Sequence, residues 1–158
     1  MNKFLTWSAI LFGAGKFPKA PGTAGSLVAV IFYYLLANYT GFLSLHFANF
    51  IFLGFILFIT LYGVYASFIA EKTYGHDAGC IVIDEFAGQL LAFLWLPKIS
   101  LLYALLGFIL FRIFDISKPL IINKAQDLPH GWGIMMDDIL AGLFAAVILN
   151  LLFWFHLL

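Results

Sequence analysis

The chain has 158 residues, 64% of them hydrophobic and only 10% charged, with eight basic and eight acidic side chains and no net charge; its mean hydropathy is +1.04. A soluble domain of this size carries about a quarter charged residues, so this composition excludes one and leaves lipid as the solvent for most of the surface. Zero net charge gives no electrostatic footprint for nucleic acid, and the single cysteine, Cys80, excludes an internal disulfide and a cysteine-rich metal site.

Residues 1–15 read as mature sequence rather than as a cleaved leader, because the chain stays hydrophobic beyond them. Within this stretch, residues 4–12 are apolar but too short to span, and Trp7 suits the membrane interface. A short helix lying on the surface is expected there. Five apolar segments follow, at residues 26–45, 47–70, 86–96, 101–114 and 139–158. Crossing the hydrocarbon core takes about 20 residues; the first, second and last segments reach that length, and the other two need their polar flanks to complete a crossing. None shows the period-2 alternation of a membrane barrel, so the spans are expected to be helices.

If all five segments cross, Lys3, Lys16, Lys19, Lys72, Arg112, Lys118 and Lys124 fall on one side and only Lys98 on the other. The excess of basic residues on cytoplasmic loops then places the N-terminus in the cytoplasm and the C-terminus outside. No linker, repeat or change of composition divides the chain. The expectation is one all-α domain over residues 1–158, a compact bundle of about five membrane-embedded helices plus the interfacial N-terminal helix.

Carboxylates are costly in or near a membrane unless paired, hydrated or bound to a cation. Here Asp84-Glu85 opens the third segment and Asp137-Asp138 the fifth, so like charges stand side by side twice. Acids at a helix start also favour the helix dipole, which accounts for one pair as readily as a site does. Two pairs point to a cation between them, and Mg²⁺ fits because it takes a few carboxylates, keeps waters and contacts phosphate. Both pairs belong to an Asp-x-x-Ala-Gly pattern, in which Gly88 and Gly142 let helices approach closely and bring the acidic ends together.

Residues 17–27 form a Pro/Gly-rich turn before the first span, in which Lys19, Gly22, Thr23 and Ser26 offer donors to an anion. The plainer alternative is a helix start capped by Thr23 or Ser26. Arg112, Asp115 and Lys118 follow one another at intervals of three at the end of the fourth segment, on one side of a helix. Arg112 suits bidentate phosphate binding and Lys118 point-charge binding; membrane-edge anchoring by snorkelling is the alternative. His76, Asp77 and His130 lie in the polar loops, where either histidine is placed to protonate a leaving alkoxide.

Residues 19–27, His76-Asp77 with residues 81–88, residues 111–119 containing Arg112, Asp115 and Lys118, and residues 131–142 containing Asp137-Asp138 together resemble the phosphatidylglycerophosphatase A family, in four ordered motifs across nearly the whole chain. The resemblance implies a multi-pass enzyme of the bacterial inner membrane with its active site on the cytoplasmic face. It implies Mg²⁺-dependent hydrolysis of phosphatidylglycerophosphate to phosphatidylglycerol and inorganic phosphate. Carried over to this chain, Asp84, Glu85, Asp137 and Asp138 are the metal and catalytic carboxylates. Lys19, Gly22, Thr23, Ser26, Arg112 and Lys118 grip the phosphate, supported by His76, Asp77 and Asp115. The chain departs from the family pattern at residues 120–122 and at His130 and Trp132, which alters loop shape. The rival reading of the same carboxylates is a cation channel or transporter, against which the basic residues beside the acids favour an anionic ligand.

Overall fold

The computed structural model describes residues 3–76, 78–96 and 99–155, and among these all regular structure is helical. The helices are α1 (Lys3–Ala9), α2 (Pro21–Tyr39), α3 (Ala48–Tyr74), α4 (Ile83–Ala92), α5 (Leu101–Ser117), α6 (Leu120–Ala125) and α7 (Gly131–Trp154). A 3-10 segment, Leu11–Lys16, extends α1, and a shorter one, Phe42–Ser44, follows α2. Lys98, the basic residue expected on the far side, lies outside the described residues.

Three helices, α2, α3 and α7, are long and apolar enough to cross a membrane. α5 has 17 residues and α4 only ten, so at 1.5 Å per residue they measure about 25 and 15 Å against a hydrocarbon core of about 30 Å. The length of α4 follows from its position. Every residue from Ile83 to Ala92 except Glu85 is buried, because α2, α3, α5 and α7 surround it. A helix enclosed by protein does not have to match the bilayer. The outer helices carry the lipid-facing surface, including Ile31 and Leu35 on α2, Phe50 and Phe58 on α3, Ile109 and Ile113 on α5, and Val147 and Leu151 on α7.

Side-chain contacts fix the directions. Gly22 faces Glu85 and Tyr33 stacks on Phe93 at 5.1 Å, so α2 runs parallel to α4. Gly88 faces the Asp138 backbone and Asn150 bonds to Leu94, so α7 is parallel to α4 as well. α5 runs the opposite way, with Gly107 on Phe93 and Arg112 beside Gly22, and so does α3, with Gly63 beside Ile83 and Met135 and Phe52 on Tyr33 at 4.8 Å. The starts of α2, α4 and α7 therefore meet the ends of α3 and α5 at one end of the bundle. The other end is aromatic and aliphatic, built on Tyr33, Phe52, Ile56, Phe93, Leu94 and Leu149.

Because α4 stops inside the protein, its last carbonyls cannot reach water. Asn150, near the C-terminal end of α7, helps resolve this by donating through Nδ2 to Leu94 O, in the turn just past α4, at 2.9 Å and to Ala146 O at 2.8 Å. Asn150→Leu is expected to leave the Leu94 carbonyl unpaired in an apolar interior and to cost about 1–3 kcal/mol. A lowered thermal midpoint in detergent checks this, and an unchanged one refutes the capping role.

α1 forms as the short helix expected near the N-terminus. It buries Leu5 and Ala9 against Ala66, Ala70 and Ile81 and leaves Phe4 and Trp7 exposed, while Ser8 and Tyr62 share a hydrogen bond of 2.6 Å. Two boundaries differ from the sequence expectation. α2 begins at Pro21 and α7 at Gly131, so residues 21–25 and 131–136 are helix rather than loop. Glycine disfavours a helix interior by about 1 kcal/mol, but these glycines allow backbone contact that a side chain would block. A Cβ on Gly25 would press on Val82, and one on Gly131 would overlap the Val64 carbonyl.

Candidate active site

The polar end gathers five acids and two bases. Asp84 and Glu85 lie in the first turn of α4, Asp115 in the last turn of α5, and Asp137 and Asp138 two turns into α7. One oxygen from each of Asp84, Glu85 and Asp138 lies within 4.8 Å of the other two, a spacing that a single oxygen-liganded cation can bridge. Asp84 and Asp138 are 8% and 3% exposed, and Asp84 Oδ1 and Glu85 Oε2 are buried without a hydrogen-bond partner. Crowded, desolvated carboxylates with unused lone pairs are strongly unfavourable unless a cation sits among them. The donor set therefore fits a hard divalent ion.

The bases are interleaved with the acids. Arg112 donates to Asp115, and its guanidinium lies with Glu85 Oε1 against Gly22, leaving no room for a Cβ there. Lys118 Nζ donates to Asp137 Oδ2 at 2.7 Å. Burial pushes the Lys118 ammonium down, but the bond to Asp137, with Asp138 and Asp115 near, outweighs it and holds the group above the ordinary lysine value. Lys118 therefore stays charged throughout the physiological range. Within this cluster of described residues two cations stand among five carboxyl groups, a balance that a bound metal would redress.

Of the residues singled out from the sequence, Asp84, Glu85, Asp138, Gly22, Arg112 and Asp115 converge. Asp137 lies outside the close set of Asp84, Glu85 and Asp138. Its Oδ2 accepts from Lys118 and from Gln126 Nε2 at 3.1 Å, and its Oδ1 accepts from the Asp138 amide at 3.0 Å. Ser26 is fully buried and gives its proton to the Gly22 carbonyl at 2.9 Å, so within α2 it does not offer the phosphate donor expected of it. Neither Thr23 nor Ser26 caps α2; Ala20 is the cap residue, without a side-chain bond, and Pro21 occupies the first turn. The first amides of α2, at Gly22 and Thr23, are thus left facing the polar end without an intrahelical acceptor. Lys19 is exposed, His76 pairs with Glu71, and Asp77 lies outside the described residues.

Backbone conformation around this end is unusual. Lys19, Lys118 and His130 hold positive φ of 73°, 41° and 58°, a region costing about 1–3 kcal/mol for a residue with a Cβ and concentrated at functional sites. His130 precedes α7 with ψ of −150° and packs edge-on against Phe68 at 5.0 Å. A polar cavity of about 30 Å³, roughly one water, is lined by His76, Gln126, His130, Gly133, Ile134 and Asp137. On the lipid side, Arg112 also borders a wholly apolar groove of about 420 Å³ formed by Phe108, Ile109, Ile113 and Ile116 on α5. Sequence reasoning missed Gln126 and Gln89. Gln126 follows α6 with no motif to mark it. Gln89 stands one turn beyond Glu85 in an apolar helix, which was a readable signal.

A bundle that faces lipid on its outside and concentrates its buried acids and bases at one end belongs to the class of polytopic membrane enzymes. The family model for phosphatidylglycerophosphatase A matches residues 7–153, and the chain belongs to that family, a group of phosphoric monoester hydrolases. It is 39% identical over 143 residues to phosphatidylglycerophosphatase A of Escherichia coli, covering 89% of this chain and 78% of that protein. It is 38% identical over 145 residues to the Haemophilus influenzae protein of the same name, covering 89% and 83%. A Bacteroides thetaiotaomicron relative named putative phosphatidylinositol-3-phosphatase is 34% identical over 150 residues, covering 90% and 89%. No solved structure matches the chain.

Proposed function

We propose that the chain hydrolyses phosphatidylglycerophosphate to phosphatidylglycerol and inorganic phosphate, with Mg²⁺, at the cytoplasmic face of a bacterial inner membrane. The observation that carries this reading is the convergence of Asp84, Glu85 and Asp138 oxygens within 4.8 Å beside the Arg112 guanidinium. Asp84, Glu85 and Asp138 would hold the ion, and when bound it would neutralise phosphate oxygens and favour attack on phosphorus.

This chain's own residues would do the rest. Arg112 would hold the phosphate by its planar fork, helped by the Gly22 and Thr23 amides at the positive end of α2. Lys118, held by Asp137, whose Oδ2 also accepts from Gln126, would place a fixed positive charge near the departing phosphate. Attack by water on phosphorus breaks the bond to the head-group oxygen, and that oxygen must gain a proton. His130 or His76, which line the water-sized cavity beside Asp137, would supply it. The apolar groove beside Arg112 would let an acyl chain stay in lipid while the phosphate reaches the acids. Seven basic residues on the same side as the acids would match the cytoplasmic surface.

The test is inorganic phosphate release by the purified protein from detergent micelles containing phosphatidylglycerophosphate. Chelation by EDTA is expected to lower the rate by about 10²-fold or more, as loss of the main electrostatic stabiliser does, and Mg²⁺ to restore it. The name of the Bacteroides relative makes phosphatidylinositol-3-phosphate the comparison substrate. A folded, Mg²⁺-supplied protein that releases phosphate from neither lipid would sink the reading and return attention to ion transport.

A further inference from the structure

Gln89 is completely buried, and both its amide nitrogen and its amide oxygen lack a hydrogen-bond partner. Leaving a buried amide unpaired costs about 1–3 kcal/mol, and a native structure retains such a group for a reason. The position supplies one. Gln89 lies four residues after Glu85, on the same face of α4 and about 6 Å further from the polar end. That face meets α2, because Glu85 abuts Gly22 at one level and Phe93 stacks on Tyr33 at the next. It is also bordered by α5, whose Phe111 touches Gly88 and whose Arg112 leads to the lipid-facing groove.

We propose that Gln89 is a specificity-determining residue that hydrogen-bonds a hydroxyl on the polyol joining the reacting phosphate to the rest of the lipid. The inference rests on the phosphatase reading above. Three features select this ligand. An amide both donates and accepts, which matches a hydroxyl, whereas a phosphate needs donors alone. In a lipid whose terminal phosphate sits at Arg112, the polyol is the next group toward the bilayer, and Gln89 is the next polar side chain in that direction along α4. A site built to bond a hydroxyl also rejects an analogue that lacks it, since the amide is then left unpaired. Glycerol and inositol, the polyols in the names of the relatives, share this chemistry.

The experiment compares turnover of phosphatidylglycerophosphate with that of its deoxy analogue, in which the linking glycerol is replaced by propane-1,3-diol. Wild-type protein is expected to prefer the hydroxyl-bearing lipid in kcat/KM by ten-fold or more. Gln89→Met, close to glutamine in length and volume, is expected to bring the ratio to within about two-fold of one, while its thermal midpoint in detergent stays at or above that of wild type. A purely structural glutamine would lower the midpoint and reduce both activities together. Ser67→Ala serves as the control, because Ser67 carries an equally buried, unpartnered hydroxyl on α3 and not on the α2 and α5 side of α4, and it should keep the wild-type ratio. A wild-type ratio near one, or a Gln89→Met ratio equal to wild type, overturns the inference while leaving the phosphatase reading intact. Failure of wild type to release phosphate from either lipid overturns both.

Discussion

Asp84→Asn is expected to abolish phosphate release, by about 10²–10³-fold or more, while leaving a protein that is folded and more heat-stable than wild type in the presence of a chelator. The two effects share a cause. Asp84 is buried against Glu85, with Asp138 and Asp137 near, and its Oδ1 has no partner. Without a cation the carboxylate is a burden to the fold, and its neutral isostere relieves both desolvation and repulsion. With the cation it is a ligand that the amide replaces poorly. Thermal unfolding in Mg²⁺ and in EDTA provides the check. Wild type should gain stability from the metal by mass action, about 2.7 kcal/mol at a hundred times the dissociation constant, and the variant should gain much less. A variant that remained active, or that gained as much from Mg²⁺ as wild type, would remove Asp84 from the site.

Gly142→Ala tests how the acids are brought together. A Cβ at this position would overlap the carbonyl oxygen of Gly88, and one at Gly88 would overlap the carbonyl oxygen of Asp138. Both obstacles are backbone, so neither can swing aside. α7 would have to move off α4, at about 1–3 kcal/mol for the overpacked contact, carrying Asp138 away from Asp84 and Glu85. A misplacement of about 1 Å at a reacting centre can cost 10²-fold in rate, so activity is expected to fall by about that factor and the thermal midpoint to drop. Gly54→Ala is the matched control. Gly54 is in α3 with nothing within 4 Å of its would-be Cβ, and alanine there should be neutral or stabilising by up to about 1 kcal/mol. Equal losses in both variants would mean that the effect does not come from the α4–α7 contact.

The spacing of the acids and glycines made part of this arrangement legible. Asp84 with Gly88 and Asp138 with Gly142 repeat one pattern, and four-residue spacing puts each pair on one helix face whatever the helices pack against. The same logic misplaced the helix starts. Glycine and proline at residues 21–25 and glycine at 131 and 133 suggest turns because they disfavour isolated helix, yet here they lie inside α2 and α7, where close packing offsets the local preference. Ser26 is a consequence of that shift. As a loop residue it would face an anion, but one turn into α2 its hydroxyl is satisfied by Gly22.

Composition alone determined that this chain lives in lipid and that its carboxylates need compensation, since both follow from transfer energies that do not depend on the fold. Motif order was enough to indicate the family, and helical periodicity enough to pair Arg112 with Asp115. Only the tertiary structure decided that Asp84, Glu85 and Asp138 form the close set while Asp137 turns to Lys118 and Gln126, because those choices depend on how α4 and α7 are rotated about their axes. It also decided that α4 is an enclosed helix of ten residues whose end is capped by Asn150 from a distant segment. Hydropathy is a local sum and cannot distinguish an apolar helix facing lipid from one facing protein; the packing of four neighbours around α4 does.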